Sequence, residues 1–288
     1  MPEGDAIVRT ARTLQRALGG HVVERFESVL APLTRVDDDT PIAGRTVERV
    51  RAAGKHLLIE LSGGLVLRTH MRMTGSWHLY RRGERWRRPR RDMRLVLATA
   101  SFEAVAFNVP VAEFTRAAQT RGAARVLPFG RPDPVASLGP DVPAPDFDAA
   151  SAIARMREAA RGRTIGEVLL DQRVIAGIGN VYKSEVCFLC GVHPFTPAAA
   201  LDDRQLEALI SKARALMTAN VHEAAAGRII TRRTLRSAVG RGDPDGERLV
   251  YGRAGRPCHR CGTPIERAVR GEYERTTYWC PSCQPAAE

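Results

Sequence analysis

The sequence predicts an α+β protein: an N-terminal β-sandwich with flanking helices, then a helical half that ends in a cysteine-rich hairpin. Three observations carry this. Short β-like runs separated by glycine turns fill the first part of the chain. A proline-rich stretch, Leu127-Pro128-Phe129-Gly130-Arg131-Pro132-Asp133-Pro134 running on to Pro143 and Pro145, then interrupts both periodicities and reads as a linker. Beyond it, apolar residues recur at helical spacing until two Cys-x2-Cys pairs close the chain.

Taken in order, Ile7, Ala11, Leu14 and Leu18 keep a helical period and give a first helix. Strands follow at Val47 to Val50, His56 to Leu61, Leu65 to His70, Ser76 to Tyr80, Arg94 to Ala98 and Ala104 to Phe107. The run from Arg81 to Arg91 carries seven arginines and reads as a solvated hairpin loop. After the linker, the glycine-rich turn Ala176-Gly177-Ile178-Gly179-Asn180 feeds a helix starting Val181-Tyr182-Lys183. Free backbone amides and a helix dipole suit that turn to a phosphate, with Asn180 as an extra donor, yet a packing turn between two helices asks for the same glycines. Cys187 and Cys190, on this helix, read as buried free thiols. Asp202 and Gln205 start a further helix with a capping-box pattern, and its Leu206, Leu209, Ile210, Ala213 and Leu216 share one face.

Composition narrows the partner. With 44 Lys plus Arg against 32 Asp plus Glu, the 288-residue chain has a net charge of +12, which draws a polyanion, nucleic acid first among them. A hydrophobic fraction of 44% excludes general disorder. No apolar run is long enough to span a bilayer and no signal peptide precedes the fold, so a reducing cytosol is expected. In that compartment Cys258-x2-Cys261 and Cys280-x2-Cys283, with eighteen residues between the pairs, fit one tetrahedral structural zinc better than disulfides.

Two features point to chemistry rather than binding. The chain opens Met1-Pro2-Glu3-Gly4-Asp5, and trimming of Met1 leaves a secondary amine followed at once by a carboxylate. Such an amine attacks an aldehyde carbon to form an iminium ion. On these residues alone a frayed terminus is the competing reading. The basic set also contains only three lysines, Lys55, Lys183 and Lys212. A lysine kept where arginine is the rule suits work that needs an amine able to lose its proton. Lys55, in Gly54-Lys55-His56, precedes a strand, where a loop presents it.

Together these segments resemble the formamidopyrimidine-DNA glycosylase and endonuclease VIII family of base-excision repair enzymes. The matching stretches are Met1-Pro2-Glu3-Gly4, Gly54-Lys55-His56, His70-Met71-Arg72-Met73-Thr74-Gly75, Leu170-Asp171-Gln172 through Tyr182, Tyr251-Gly252-Arg253, and the finger from Arg275 to Gln284, in the family's order. The resemblance implies a catalytic β-sandwich over residues 1–127, a linker over 128–150, a helix–two-turn–helix DNA-binding domain over 151–250 and a zinc finger over 251–288. It also implies roles. Pro2 is the nucleophile at C1′ of the damaged nucleotide, Glu3 the acid and base for ring opening, and Lys55 a phosphate anchor that helps proton transfer. His70, Asn180 and Arg275 grip phosphates around the flipped nucleotide, while Met73, with Arg72 beside it, enters the vacated stack. Without the family, Met73 reads equally well as core and Arg275 as a solvated hairpin arginine.

The chain departs from the pattern at three places. Ala6 stands where most members carry a second glutamate, the finger is two residues longer than usual, and Phe107-Asn108-Val109-Pro110 replaces the Arg-x-Phe-Gly loop with which the 8-oxoguanine branch probes the opposite base. The expectation is therefore a monomeric, cytoplasmic, nucleoid-associated glycosylase and AP lyase with one Zn2+, nearer endonuclease VIII. It would act on oxidised pyrimidines in double-stranded and also single-stranded damaged DNA, with β,δ-elimination. An 8-oxoguanine-preferring member and a non-catalytic zinc-finger binder of damaged DNA are the alternatives.

Overall fold

The computed structural model describes residues 2–116, 133–223, 231, 248–270 and 274–286. The stretch Leu127 to Pro132 of the proline linker and most of residues 224–247 lie outside them. Contacts divide the chain into two compact units, Met1–Pro2 with Ala6–Ser137, and Glu3–Asp5 with Leu138–Glu288.

The first unit is a sandwich of two antiparallel four-stranded sheets. Among the described residues its elements are α1 (Gly4–Leu18), β1 (Arg25–Ser28), α2 (Ala31–Asp39), β2 (Val47–Ala53), β3 (His56–Leu61), β4 (Leu65–His70), β5 (Ser76–Arg81), β6 (Met93–Ala98), β7 (Phe102–Phe107) and β8 (Val111–Arg116). One sheet runs β1-β6-β7-β5 and the other β2-β3-β4-β8. Inward residues of alternate positions, Leu57, Ile59 and Leu61 from β3 and Leu95 and Leu97 from β6, join Ile7, Ala11 and Leu14 of α1 in one buried core. The expected strands are all present. Those not foreseen are β1, β8 and helix α2.

The arginine loop between β5 and β6 is solvated as expected, with six of its seven arginines exposed, but it is not a hairpin, because β7 lies between the two strands. Trp86 packs edge-on against Phe107 at 5.8 Å and closes a second buried cluster of Tyr80, Met93, Val96 and Val105 on the outer face of the first sheet. Its indole N–H donates to Glu103 at 3.1 Å. A single interleaved tryptophan is thus enough to lay the loop down, while Arg87 and Arg91 stay exposed.

The second unit carries α3 (Ala149–Glu158), α4 (Ile165–Leu170), α5 (Asn180–Leu189), α6 (Asp203–Glu223) and the hairpin β9 (Glu266–Arg270) with β10 (Arg275–Trp279). The capping box at α6 forms as the pattern required: the Asp202 N–H donates to Gln205 Oε1 at 2.9 Å, and the Gln205 N–H to Asp202 Oδ1 at 2.8 Å. Two turns join α4 to α5. Gln172 holds them, donating from Nε2 to the carbonyls of Leu170 and Ile178 and accepting the Gly177 N–H at 3.0 Å. Cys187 is fully buried, but Cys190 is only half-buried because it caps the C-terminal end of α5.

Candidate active site

Glu3 is completely buried, and the N-terminal end of α5 is built around it. Its Oε2 accepts the N–H groups of Gly179 at 2.8 Å and Tyr182 at 3.3 Å, and its Oε1 accepts that of Val181 at 2.8 Å. These are the unpaired amides of a helix start, so the carboxylate meets both donors and the positive end of the dipole. Glycines make the approach feasible. A Cβ on Gly179 would sit 2.3 Å from Glu3 Cδ, and one on Gly4 would sit 2.9 Å from Gly177 Cα. The Gly4 N–H further donates to the Gly177 carbonyl at 3.0 Å. The chain is therefore anchored from its third residue, and the frayed terminus does not describe it. Of the two readings of this turn, phosphate site or packing turn, the backbone amides follow the second: they go to the chain's own carboxylate, because a tethered anion outcompetes a dissolved one.

In the sandwich unit the fold gathers a basic cluster. Gly54, at φ +56°, and Lys55 form the two-residue turn that pairs Ala53 with His56, and they leave Lys55 half-buried at the tip. His56 pairs with His70 across β3 and β4, their rings edge-to-face at 4.8 Å. Arg68 bonds His56 Nδ1 at 2.8 Å and is itself paired with Glu113. Burial, then His70, Arg68 and Lys55, push His56 down to about 3. Burial, then Lys55, Arg72 and Arg68, push His70 down to about 4. Both rings are neutral near pH 7. Because His70 Nδ1 accepts the Arg72 N–H at 3.0 Å, the ring's own proton resides on Nε2 as a donor. The loop Met71 to Gly75 presents Arg72, in the left-handed region at φ +47°, and Met73, which is 63% exposed and not part of the core. Phe107 and Val109 are fully buried where β7 crosses to β8, so residues 107–110 form a packed crossover instead of a projecting probe.

In the second unit Asn180 donates from Nδ2 to the Thr276 carbonyl of β10 at 2.8 Å, and its side chain also hydrogen-bonds Tyr251. Arg275 opens β10 and is exposed. Lys183, one turn beyond Asn180, donates to Thr277 Oγ1 at 2.7 Å. Glu185, fully buried, accepts the N–H groups of Leu249, Val250 and Tyr251, each at 2.8 Å. Neither bridge was foreseen, since no local pattern shows which distant backbone will cover a helix face.

The sulfurs of Cys258, Cys261, Cys280 and Cys283 all lie within 4.8 Å of one another. Pairs Cys258–Cys283 at 4.0 Å and Cys261–Cys280 at 3.5 Å bracket the edge of about 3.8 Å that a tetrahedron with metal–sulfur bonds of about 2.3 Å requires. The Arg260 and Cys283 N–H groups point at Cys258 Sγ and Cys280 Sγ at 3.4 and 3.5 Å, which supports thiolates. These four residues fit a metal ion.

Comparison with known proteins agrees with this geometry. Residues 1–111 match the family described as the formamidopyrimidine-DNA glycosylase N-terminal domain, and residues 138–232 the formamidopyrimidine-DNA glycosylase H2TH domain. A "Probable endonuclease 8 2" of Streptomyces coelicolor is 41% identical over 99% of this chain and 94% of its own. The "DNA-(apurinic or apyrimidinic site) lyase Nei2" of Mycolicibacterium smegmatis is 35% identical with both chains covered in full. A "Formamidopyrimidine-DNA glycosylase" of Moorella thermoacetica is 34% identical over 93% of this chain and 94% of that one. The fold matches that of Lactococcus lactis Fpg, solved with a DNA containing N7-benzyl-Fapy-dG, at a TM-score of 0.75 and 22% identity, covering 99% of this chain and 100% of that one. With a buried Glu3 seated at a helix start, a helix–two-turn–helix and a four-cysteine hairpin in one chain, and relatives matched end to end, the protein belongs to the formamidopyrimidine-DNA glycosylase and endonuclease VIII family.

Proposed function

We propose that the protein is a bifunctional DNA glycosylase and AP lyase of base-excision repair that uses Pro2 as its nucleophile. The observation that carries the reading is the seat of Glu3. A buried carboxylate clamped by three backbone donors fixes the peptide immediately after the reacting amine, as a nucleophile that must meet one carbon requires. Once Met1 is removed, the Pro2 nitrogen attacks C1′ and the damaged base departs, and the ring-opened sugar is held as an iminium. Loss of a C2′ proton then expels the 3′ phosphate, and a second elimination releases the 5′ phosphate. Glu3 serves the proton transfers of ring opening, and Lys55 holds a phosphate and moves protons near the eliminated positions.

DNA is held by neutral His70 through its Nε2 proton, by Asn180 and by Arg275, with Met73 and Arg72 filling the gap left by the flipped nucleotide. One Zn2+ at the four cysteines holds the β9–β10 hairpin in shape. The protein works as a monomer in the cytoplasm, at the nucleoid, over domains 1–127, 128–150, 151–250 and 251–288. Among the described residues no helix is long and apolar enough to cross a membrane.

The substrate follows from the 107–110 crossover. With no probe for the opposing base there, oxidised pyrimidines should leave faster than 8-oxoguanine opposite cytosine, with little dependence on the partner base and with activity on single strands. Borohydride trapping on abasic-site DNA, followed by single-turnover rates on matched lesions, tests both steps. Trapping should vanish when a retained N-terminal extension blocks the Pro2 nitrogen as an amide, while DNA binding persists. Undiminished trapping would assign the iminium to another amine, and fastest release of 8-oxoguanine would favour the reading as a formamidopyrimidine-type enzyme.

A further inference from the structure

The second unit holds a cavity of about 260 Å3 under the β9–β10 hairpin, walled by α4, α5 and the hairpin itself. Among the described residues its charges do not balance. Lys183 lies in the wall only 2% exposed; its ammonium has three protons, yet it donates to the Thr277 hydroxyl and forms no ion pair with a carboxylate among the described residues. Thr277 passes its own proton to the Arg275 carbonyl at 3.2 Å. Arg270 and Arg275, both on the cavity wall, stand directly opposite each other across the hairpin, where like charges repel. The Arg270 guanidinium rests over the Phe195 ring at 5.4 Å. The acid in the wall, Glu167, is turned to the start of α4, accepting the N–H and hydroxyl of Thr164 at 2.8 Å each. Among the described residues three cations thus line one space, and the carboxylate in its wall, Glu167, is engaged with Thr164.

A buried ammonium without a counter-ion is costly. Burial accordingly pushes Lys183 down to about 8, with Arg275 acting in the same direction against Cys187 and Glu3. The space has room for several water volumes of about 30 Å3. A phosphate group with part of its hydration therefore fits, and its oxygens would take up the ammonium protons left over.

We propose that Lys183, Arg270 and Arg275 form a phosphate-binding pocket, distinct from the Glu3 cradle, that accepts either a backbone phosphodiester of bound DNA or free phosphate. The DNA source rests on the repair function proposed above; the free-phosphate source does not. Two measurements on the zinc-loaded protein separate them. In the first, inorganic phosphate replaces chloride at fixed ionic strength during thermal unfolding. A rise in Tm for the wild type that is lost in Lys183→Met shows the pocket binding free phosphate. In the second, the slope of log Kobs for DNA against log salt should be smaller by about one in the same variant if a DNA phosphate occupies the pocket. Arg270→Gln, on an exposed strand position, repeats both tests should Lys183→Met fold poorly. Either response supports the pocket and names its occupant. Absence of both, with an unchanged Tm and an unchanged slope, overturns it. Because the phosphate titration involves neither DNA nor bond cleavage, its failure leaves the iminium chemistry untouched, just as failed borohydride trapping would leave the pocket standing.

Discussion

An arginine at position 55 would keep the charge at the tip of the β2–β3 turn and lose the titratable amine. Lys55→Arg should therefore bind DNA nearly as well and cut ready-made abasic sites, yet release a damaged base more slowly, by about tenfold or more. Single-turnover kinetics on the two substrates check this, and equal losses on both would reduce Lys55 to electrostatics. The neighbouring histidines give a pH effect whose sign is settled. Unfolded His56 and His70 take up protons near pH 6.5, whereas folded they do so only near about 3 and about 4. Between those limits the unfolded chain binds more protons, so stability should fall as pH drops through the window, and His56→Gln should flatten the decline of Tm. The place of Lys55 at a turn was legible from Gly54 before it and the apolar run after it, and its scarcity singled it out. Lys183 was equally scarce, but its cavity was not legible, since it exists only once the hairpin covers α5.

At the level of elements, α5 is a shared post. Its first amides hold Glu3, Asn180 and Lys183 hold β10, and Glu185 holds residues 249–251. Gly179→Ala drives a methyl group into Glu3 Cδ and should unseat the carboxylate, each lost charge-assisted bond costing about 1.5–3 kcal/mol at most. Strand scission should fall by at least about tenfold while zinc content is kept. A normal rate in a soluble Gly179→Ala protein would remove Glu3 from the reaction. Most strands were legible because glycine turns frame alternating apolar runs. Strand β1 escaped because its four residues are all half-buried and carry no alternation, and α2 because its one buried residue is Leu33. For β8, its neighbour Pro110 reads as a break rather than a crossover.

For the whole molecule, the metal is expected to matter for grip rather than for bond making. Elemental analysis should find one zinc per chain, and chelation should weaken DNA binding while trapping at saturating DNA continues. Active protein with little zinc would defeat this. The division into a sheet-rich and a helical part was visible as a change of period across the prolines. The pairing of the third residue with a turn beyond residue 175 was not, because no local pattern encodes a contact of that span.

That span has a consequence in time. Glu3 and Gly179 are 176 residues apart, so during synthesis the N-terminal tripeptide has nothing to dock onto until α5 has been made, which takes roughly 10–35 s at ribosomal rates of about 5–20 residues per second. Throughout that interval an aminopeptidase meets a loose terminus, and afterwards it meets one clamped by the cradle. Nascent chains stalled near residue 150 should then already lack Met1, and the last step of folding would close over an amine that had been freed long before.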